Sequence, residues 1–223
     1  YITVTILYSY GAELTDAQFL YIDLFSIMPL ALFMSRTGPS KHLSVKQPSG
    51  ALISVPILTS VLGQTVVQLI FQALTLYHLS RQDWYVKFNP DENKGADTAV
   101  AVSYEASALF LVSNIQYLAT VLAFSEGKPF RKSFVTNPLF LASFVILLLG
   151  GLLLFFDAWP WFNAQIGIRW MPPEFRLSLF AITAASFAAT ILFEKIAVRY
   201  VAKVYSQRRT KKIHTKKGPK LLK

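Results

Sequence analysis

Asp16-Ala17-Gln18-Phe19-Leu20-Tyr21-Ile22-Asp23-Leu24-Phe25 opens a run that stays largely apolar through Met34 and sets a carboxylate near its middle. An aspartate at the centre of a membrane helix costs about 2.5–3.5 kcal/mol on insertion scales. Such a residue is kept where something compensates for it, and the default compensation is a cation that stops beside it. The structural alternative is a buried Asp paired with a Lys or a backbone donor. Asp16 lies two helical turns before Asp23, so one α-helix would carry both carboxylates on one side, about 10 Å apart along its axis. Phe19 falls between them on the same face.

The rest of the chain supports a membrane setting. Of 223 residues, 53% are hydrophobic and 15% charged, against about 25% charged in soluble domains. Runs free of Asp, Glu, Lys and Arg cover residues 47–80, 106–125, 133–156 and 177–193. A crossing helix needs about 20 residues, so the first three suffice and the last needs its flanks or a tilt. Residues 1–11 are apolar but too short to cross, and read as the tail of a further span. The expected fold is all-α: a polytopic transmembrane bundle made of the end of one helix plus five full spans. The chain starts at Tyr1 without a signal-peptide layout, which leads us to expect the C-terminal piece of a longer polypeptide.

Basic residues near the span ends fix the expected orientation. Arg36, Lys41, His42 and Lys46 follow the Asp-bearing run; Lys128, Arg131 and Lys132 follow the span ending near Phe124; Arg199 onward follows the last. Alternation puts all three on one side, predicted to be cytoplasmic. The tail from Arg199 to Lys223 holds ten Lys and Arg and no acid, which equals the whole net charge of +10. It reads as a solvated orientation signal or as a surface for anionic headgroups. No folded basic module accompanies it, which argues against nucleic acid. Trp84, Tyr85, Trp159, Trp161 and Trp170 fall on the opposite side and suit an interfacial aromatic belt. Segment 160–174 reads as a short re-entrant or interfacial piece.

Several residues carry two readings. Thr15-Asp16-Ala17-Gln18 is a capping box with an acid in the first turn, so Asp16 is either part of a cap or the entrance to a site. Phe19 is either core packing or a ring face for a cation. Pro29 removes one helical hydrogen bond, giving a kink or a freed carbonyl. Gln64, Gln68 and Gln72 form a stripe, and Asn114 and Gln116 follow on the next span. Such amides act as interhelical glue or touch a substrate. Glu194, beside Lys195, is read as paired or snorkelling. The sequence has no cysteine, no Gly-rich phosphate loop, no His-Glu-x-x-His helix and no nucleophile elbow. No catalytic residue, bound cofactor or metal-ligand set is expected within this chain.

The Asp16–Asp23 run followed by Met34-Ser35-Arg36-Thr37-Gly38-Pro39 closely resembles the sixth membrane helix and following loop of type-5, subgroup-B P-type ATPases. The likeness continues at Pro48-Ser49-Gly50-Ala51-Leu52, Ser113-Asn114-Ile115-Gln116-Tyr117 and Gly127-Lys128-Pro129-Phe130-Arg131, and covers nearly all of residues 1–200. The resemblance implies that residues 1–200 are the C-terminal half of a transmembrane transport domain, and 201–223 a basic cytoplasmic tail. It implies a pump exporting spermine- or spermidine-like polyamines from a vacuolar, lysosomal or late-endosomal lumen to the cytosol. Asp23 would contact the amines, Phe19 would line the same path, and Asp16 would stand nearer the lumenal mouth. ATP and Mg would act elsewhere in the full-length protein, which would work as a monomer in the bilayer. The competing readings are a P-type pump for metal cations or membrane helices, and a non-enzymatic membrane scaffold.

Overall fold

The computed structural model describes residues 1–40, 53–89, 102–125, 130–205 and 207. Its helices start where the sequence places side-chain caps and prolines. Helix α1 (Ile2–Ser9) precedes the Asp-bearing span, which runs Asp16–Ser35 as α2 (Asp16–Leu20), a π-helical segment (Tyr21–Ile27) and α3 (Met28–Ser35). Helix α4 (Val55–Ser80) follows Ser54 and carries a proline in its first turn. Ser103 caps α5 (Tyr104–Phe124) by accepting from the Ala106 N–H at 3.0 Å. Asn137 caps α6 (Pro138–Phe155) through the Phe140 N–H. The short α7 (Pro160–Ile166) ends at left-handed Gly167, and α8 (Pro173–Phe193) runs into a second π-helical segment, Glu194–Val198.

Five of these elements are long and apolar enough to cross a membrane: Asp16–Ser35, Val55–Ser80, Tyr104–Phe124, Pro138–Phe155 and Pro173–Tyr205. They are the five expected spans, and α1 is a short helix before them. Helix α5 is the axis of the bundle. Its most apolar stretch is 67% buried, against 17–22% in the other four spans. Small residues at Ala106, Ser107, Ala108, Ser113 and Ala119 let neighbouring backbones approach it, as membrane helix packing requires. The outer faces of α4, α6 and α8 expose Leu62, Ile70, Ile146, Leu149 and Leu177, which lipid can solvate.

The two ends differ. At one, the Arg36–Ser40 stretch pairs with Phe130–Lys132: the Ser40 N–H donates to Phe130 O and the Lys132 N–H to Gly38 O, each at 3.0 Å. Two of the three basic segments therefore meet at one end, as alternation of spans requires; we call it the basic end. Asn137 Nδ2 donates there to Phe33 O at 2.7 Å, satisfying a carbonyl that the end of α3 leaves free. Residues 41–52, 126–129 and 208–223 are outside the described residues. So are Lys41, His42, Lys46, Lys128, the Pro48–Leu52 stretch and most of the basic tail.

At the opposite end a buried arginine closes the bundle. Arg176 donates to Met171 O, Leu154 O and Phe155 O at 3.1–3.3 Å and pairs with Asp157 at 3.3 Å. It thereby satisfies the last carbonyls of α6. Of the expected aromatic belt, Trp159, Trp161 and Trp170 are exposed. Trp84 instead packs edge-on against Tyr104 and Phe175, with centroids 5.2 and 5.1 Å away. The Tyr85 hydroxyl donates to Glu105 at 2.6 Å. Burial first, then the bond to and charge of Glu105, push that hydroxyl above its ordinary range and keep it a donor. These two rings are therefore internal fasteners, because the 81–89 loop folds back over the ends of α5 and α8.

Gly63 of α4 makes room for the Phe193 ring of α8: a Cβ there would lie 2.0 Å from it. In the intact protein, Gly63→Ala should lower stability by about 1–3 kcal/mol, the usual cost of overpacking. Adding Phe193→Leu should recover part of the loss. Thermal unfolding in detergent reads both; a Gly63→Ala variant as stable as wild type would contradict this packing.

Candidate functional site

The span that bears Asp16, Phe19 and Asp23 is anchored at its first turn. The Gln18 N–H donates to Thr15 Oγ1 and the Thr15 N–H to Gln18 Oε1, both at 3.2 Å. The box expected from sequence is present, with Thr15 as its cap and Asp16 free and exposed in the first turn. The same two side chains hold the α7 turn: Thr15 Oγ1 donates to Ile166 O at 2.7 Å and Gln18 Nε2 to Gly167 O at 3.0 Å. Gly167 has φ +80, and a Cβ there would lie 2.5 Å from Thr15, so the turn needs glycine on both counts.

Beyond the anchor the helix widens. Gln18, Ile22, Ser26 and Leu30 are all buried, a stripe with constant spacing of four. In a pure α-helix such a stripe drifts by about 40° at each step. A π-helical stretch has more residues per turn, and Tyr21–Ile27 keeps the stripe on one face. The Met28 N–H donates to Asp23 O, five residues back. Pro29 then sits in the first turn of α3, where its missing N–H is least costly. The proline thus follows a change of hydrogen-bond register.

Asp16, Phe19 and Asp23 lie outside the buried stripe and are all exposed, Phe19 by 39%. All three stand on the exposed part of one span. Tyr117 of α5, which the sequence reading did not single out, completes this neighbourhood. Its hydroxyl reaches Thr3 and Ser113. Thr3 is likewise a new member, buried although it belongs to the short α1. Its signal in the sequence is slight: one hydroxyl in an apolar run.

A hydrogen-bonded seam runs through the bundle. Thr3 Oγ1 donates to Gln72 Oε1, Gln72 Nε2 to Gln116 Oε1, and Gln116 Nε2 to Ser186 Oγ, at 3.2, 3.0 and 2.9 Å. Ser26 Oγ donates to Asn114 Oδ1 at 3.1 Å, and Gln68 Nε2 to Thr120 Oγ1 at 2.7 Å. The amide stripe therefore joins α1, α4, α5, α8 and the π-helical turn, which is the glue reading. Glu194 departs from expectation. It neither snorkels nor pairs with Lys195 but accepts from Ser60 Oγ at 2.7 Å and Gln64 Nε2 at 3.2 Å.

No protein-family model matches the chain, but curated relatives do. It is 30% identical over 220 residues to the polyamine-transporting ATPase 13A3 of Homo sapiens, covering 90% of this chain and 18% of that protein. It is 34% identical over 203 residues to the polyamine-transporting ATPase 13A2 of Mus musculus, covering 88% and 16%. Over 154 residues it is 37% identical to the vacuolar cation-transporting ATPase YPK9 of Saccharomyces cerevisiae, covering 69% and 10%. These relatives are named as polyamine-transporting and cation-transporting ATPases. The chain belongs to the type-5 P-type ATPases, a family that hydrolyses ATP, and spans less than a fifth of the length of these relatives.

The glue assignment predicts that Gln68→Leu in the intact protein lowers thermal stability. The expected cost is about 0.6–2 kcal/mol, the range for interhelical bonds in membranes. Added to Thr120→Val, it should cost much less. Loss of substrate affinity at unchanged stability would contradict it.

Proposed function

We propose that this chain forms one wall of the transport path in a P-type pump that moves polyamines from an organelle lumen to the cytosol. The observation that carries the reading is Asp23. It is an exposed mid-span carboxylate, with Phe19 and Asp16 exposed on the same span. A carboxylate in that position gains most from a cation that brings its own charge into a low-dielectric site. An extended chain of amines suits acids spaced about 10 Å along one helix, and Phe19 adds about 0.5–2 kcal/mol of cation–π attraction. Asp16, standing in the first turn, is the outer contact and Asp23 the inner one. The printed names of the 13A2 and 13A3 relatives support a polyamine as the cargo.

In this reading ATP and Mg are handled by parts of the full-length protein other than the residues described above. The pump resides in a vacuolar, lysosomal or late-endosomal membrane and acts as a monomer. The basic tail faces the cytosol, where anionic headgroups attract it. A metal cation is the second candidate cargo, because other relatives are named cation-transporting ATPases. A single central carboxylate favours the organic cation, since calcium takes six to eight oxygens, usually including several carboxylates.

Asp23→Asn in the complete protein removes one charge at nearly constant volume. It should reduce polyamine-stimulated ATPase activity by at least about tenfold, equivalent to about 1.4 kcal/mol, with expression unchanged. Spermine stimulation equal to wild type would refute the assignment; stimulation by Mn²⁺ or Ca²⁺ instead of spermine would transfer it to the metal reading.

A further inference from the structure

We propose that Glu194, Ser60 and Gln64 form a second intramembrane cation site, distinct from the Asp23 face, that takes one monovalent positive charge from the basic end. The site lies between α4 and the π-helical Glu194–Val198 segment. Glu194 Oε2 accepts from Ser60 Oγ at 2.7 Å and Gln64 Nε2 at 3.2 Å, so the side chain is aimed at α4 rather than outward. Both donors are neutral. Among the described residues, no charged side chain of the helices packed around it balances the carboxylate. Between Val55 and Ser80, α4 has no Asp, Glu, Lys or Arg, and its His78 is at the far end. The only charged residue of α5 is Glu105, at its opposite end, and those of α8 are Glu174 and Arg176, also opposite. Lys195 on the π-helical segment and Arg199 just beyond it are exposed, and no ion pair to Glu194 forms among the described residues.

Three further observations point to a ligand. A cavity of about 350 Å³ opens beside the carboxylate, lined by Pro56, Ser60, Phe124, Glu194 and Val198. Gln64 is buried, and its Oε1, the other arm of the carboxamide that donates to Glu194, has no hydrogen-bond partner among the described residues. Thr190 Oγ1, one turn before Glu194, is likewise buried and unpartnered, while its carbonyl accepts from the same Gln64 Nε2. Buried acceptors left without donors cost about 1–3 kcal/mol each, and a cation, with or without its water, supplies what they lack. The cavity reaches the basic end, because Pro56 and Ser60 are in the first turns of α4 and Phe124 is the last residue of α5. One carboxylate among neutral oxygens balances one positive charge, not two. That charge is a proton on the carboxylate or a small alkali cation among the oxygens.

The test uses the full-length protein in nanodiscs, without polyamine, so that the Asp23 reading has no bearing on the result. Unfolding temperature is measured from pH 5 to 8 in choline chloride, then at fixed pH with NaCl or KCl replacing choline at equal ionic strength. Wild type should gain about 2–4 °C from acid pH or from an alkali cation, and Asp23→Asn should keep that gain. Glu194→Gln should lose it, and Ser60→Ala, a milder change, should reduce it. A response to pH alone identifies the proton, and a carboxylic C=O infrared band missing from Glu194→Gln would accompany it. A response to Na⁺ or K⁺ at constant pH identifies the metal cation. Identical pH and salt responses in wild type, Ser60→Ala and Glu194→Gln would overturn the proposal.

Discussion

In an apolar slab a polar side chain finds its partner inside the protein or not at all, and this bundle is organised around that constraint. The bonds from Thr3 through Gln72 and Gln116 to Ser186 fix the rotation of α1, α4 and α8 about α5. Dispersion alone would not, because lipid tails match leucine as well as another helix does. Arg176 does the same at one end, filling four acceptor positions with one guanidinium. The helices are placed by polar contacts and filled in by apolar ones, the reverse of a water-soluble core.

That order explains what the sequence could show. The spans were legible because long runs without charge have few alternatives in length or location. The capping box at Thr15–Gln18 was legible because both of its partners are local. The amide stripe was legible as a stripe, yet the partner of each glutamine depends on which helix comes alongside, and no periodicity encodes that. Trp84 and Tyr85 looked like belt residues because they fall on the side opposite the basic segments; only the fold-back of residues 81–89 onto α5 and α8 half-buries them. Glu194 was misread for the same reason, since Ser60 and Gln64 lie about 130 residues away in sequence.

Helical spacing in the sequence puts Asp16, Phe19 and Asp23 forward as candidates, but the packing of their span was not legible there. All three are exposed, and the α-helical argument for a shared face leaves out a change of register. The span packs through the buried stripe Gln18, Ile22, Ser26 and Leu30, whose four-residue spacing would spiral around an α-helix. The change to π-helical register keeps the stripe against α5 and leaves Asp23, the residue after Ile22, outside it and exposed. The acid is displayed by the packing of its neighbours rather than by its own spacing.

Among the described residues there are two π-helical segments, and each includes an intramembrane acid, Asp23 in one and Glu194 at the start of the other. The two acids sit differently. Asp23 is exposed. Glu194 is half-buried and accepts two hydrogen bonds beside a cavity of about 350 Å³. In both, the wider turn shifts the acid relative to the faces before and after it, which straight α-helical packing would not allow. A helix that must bury one face continuously and still turn a carboxylate away from it, or toward one particular neighbour, needs such a change of register. The acids and the π-helical segments coincide because the second makes the first compatible with a packed helix.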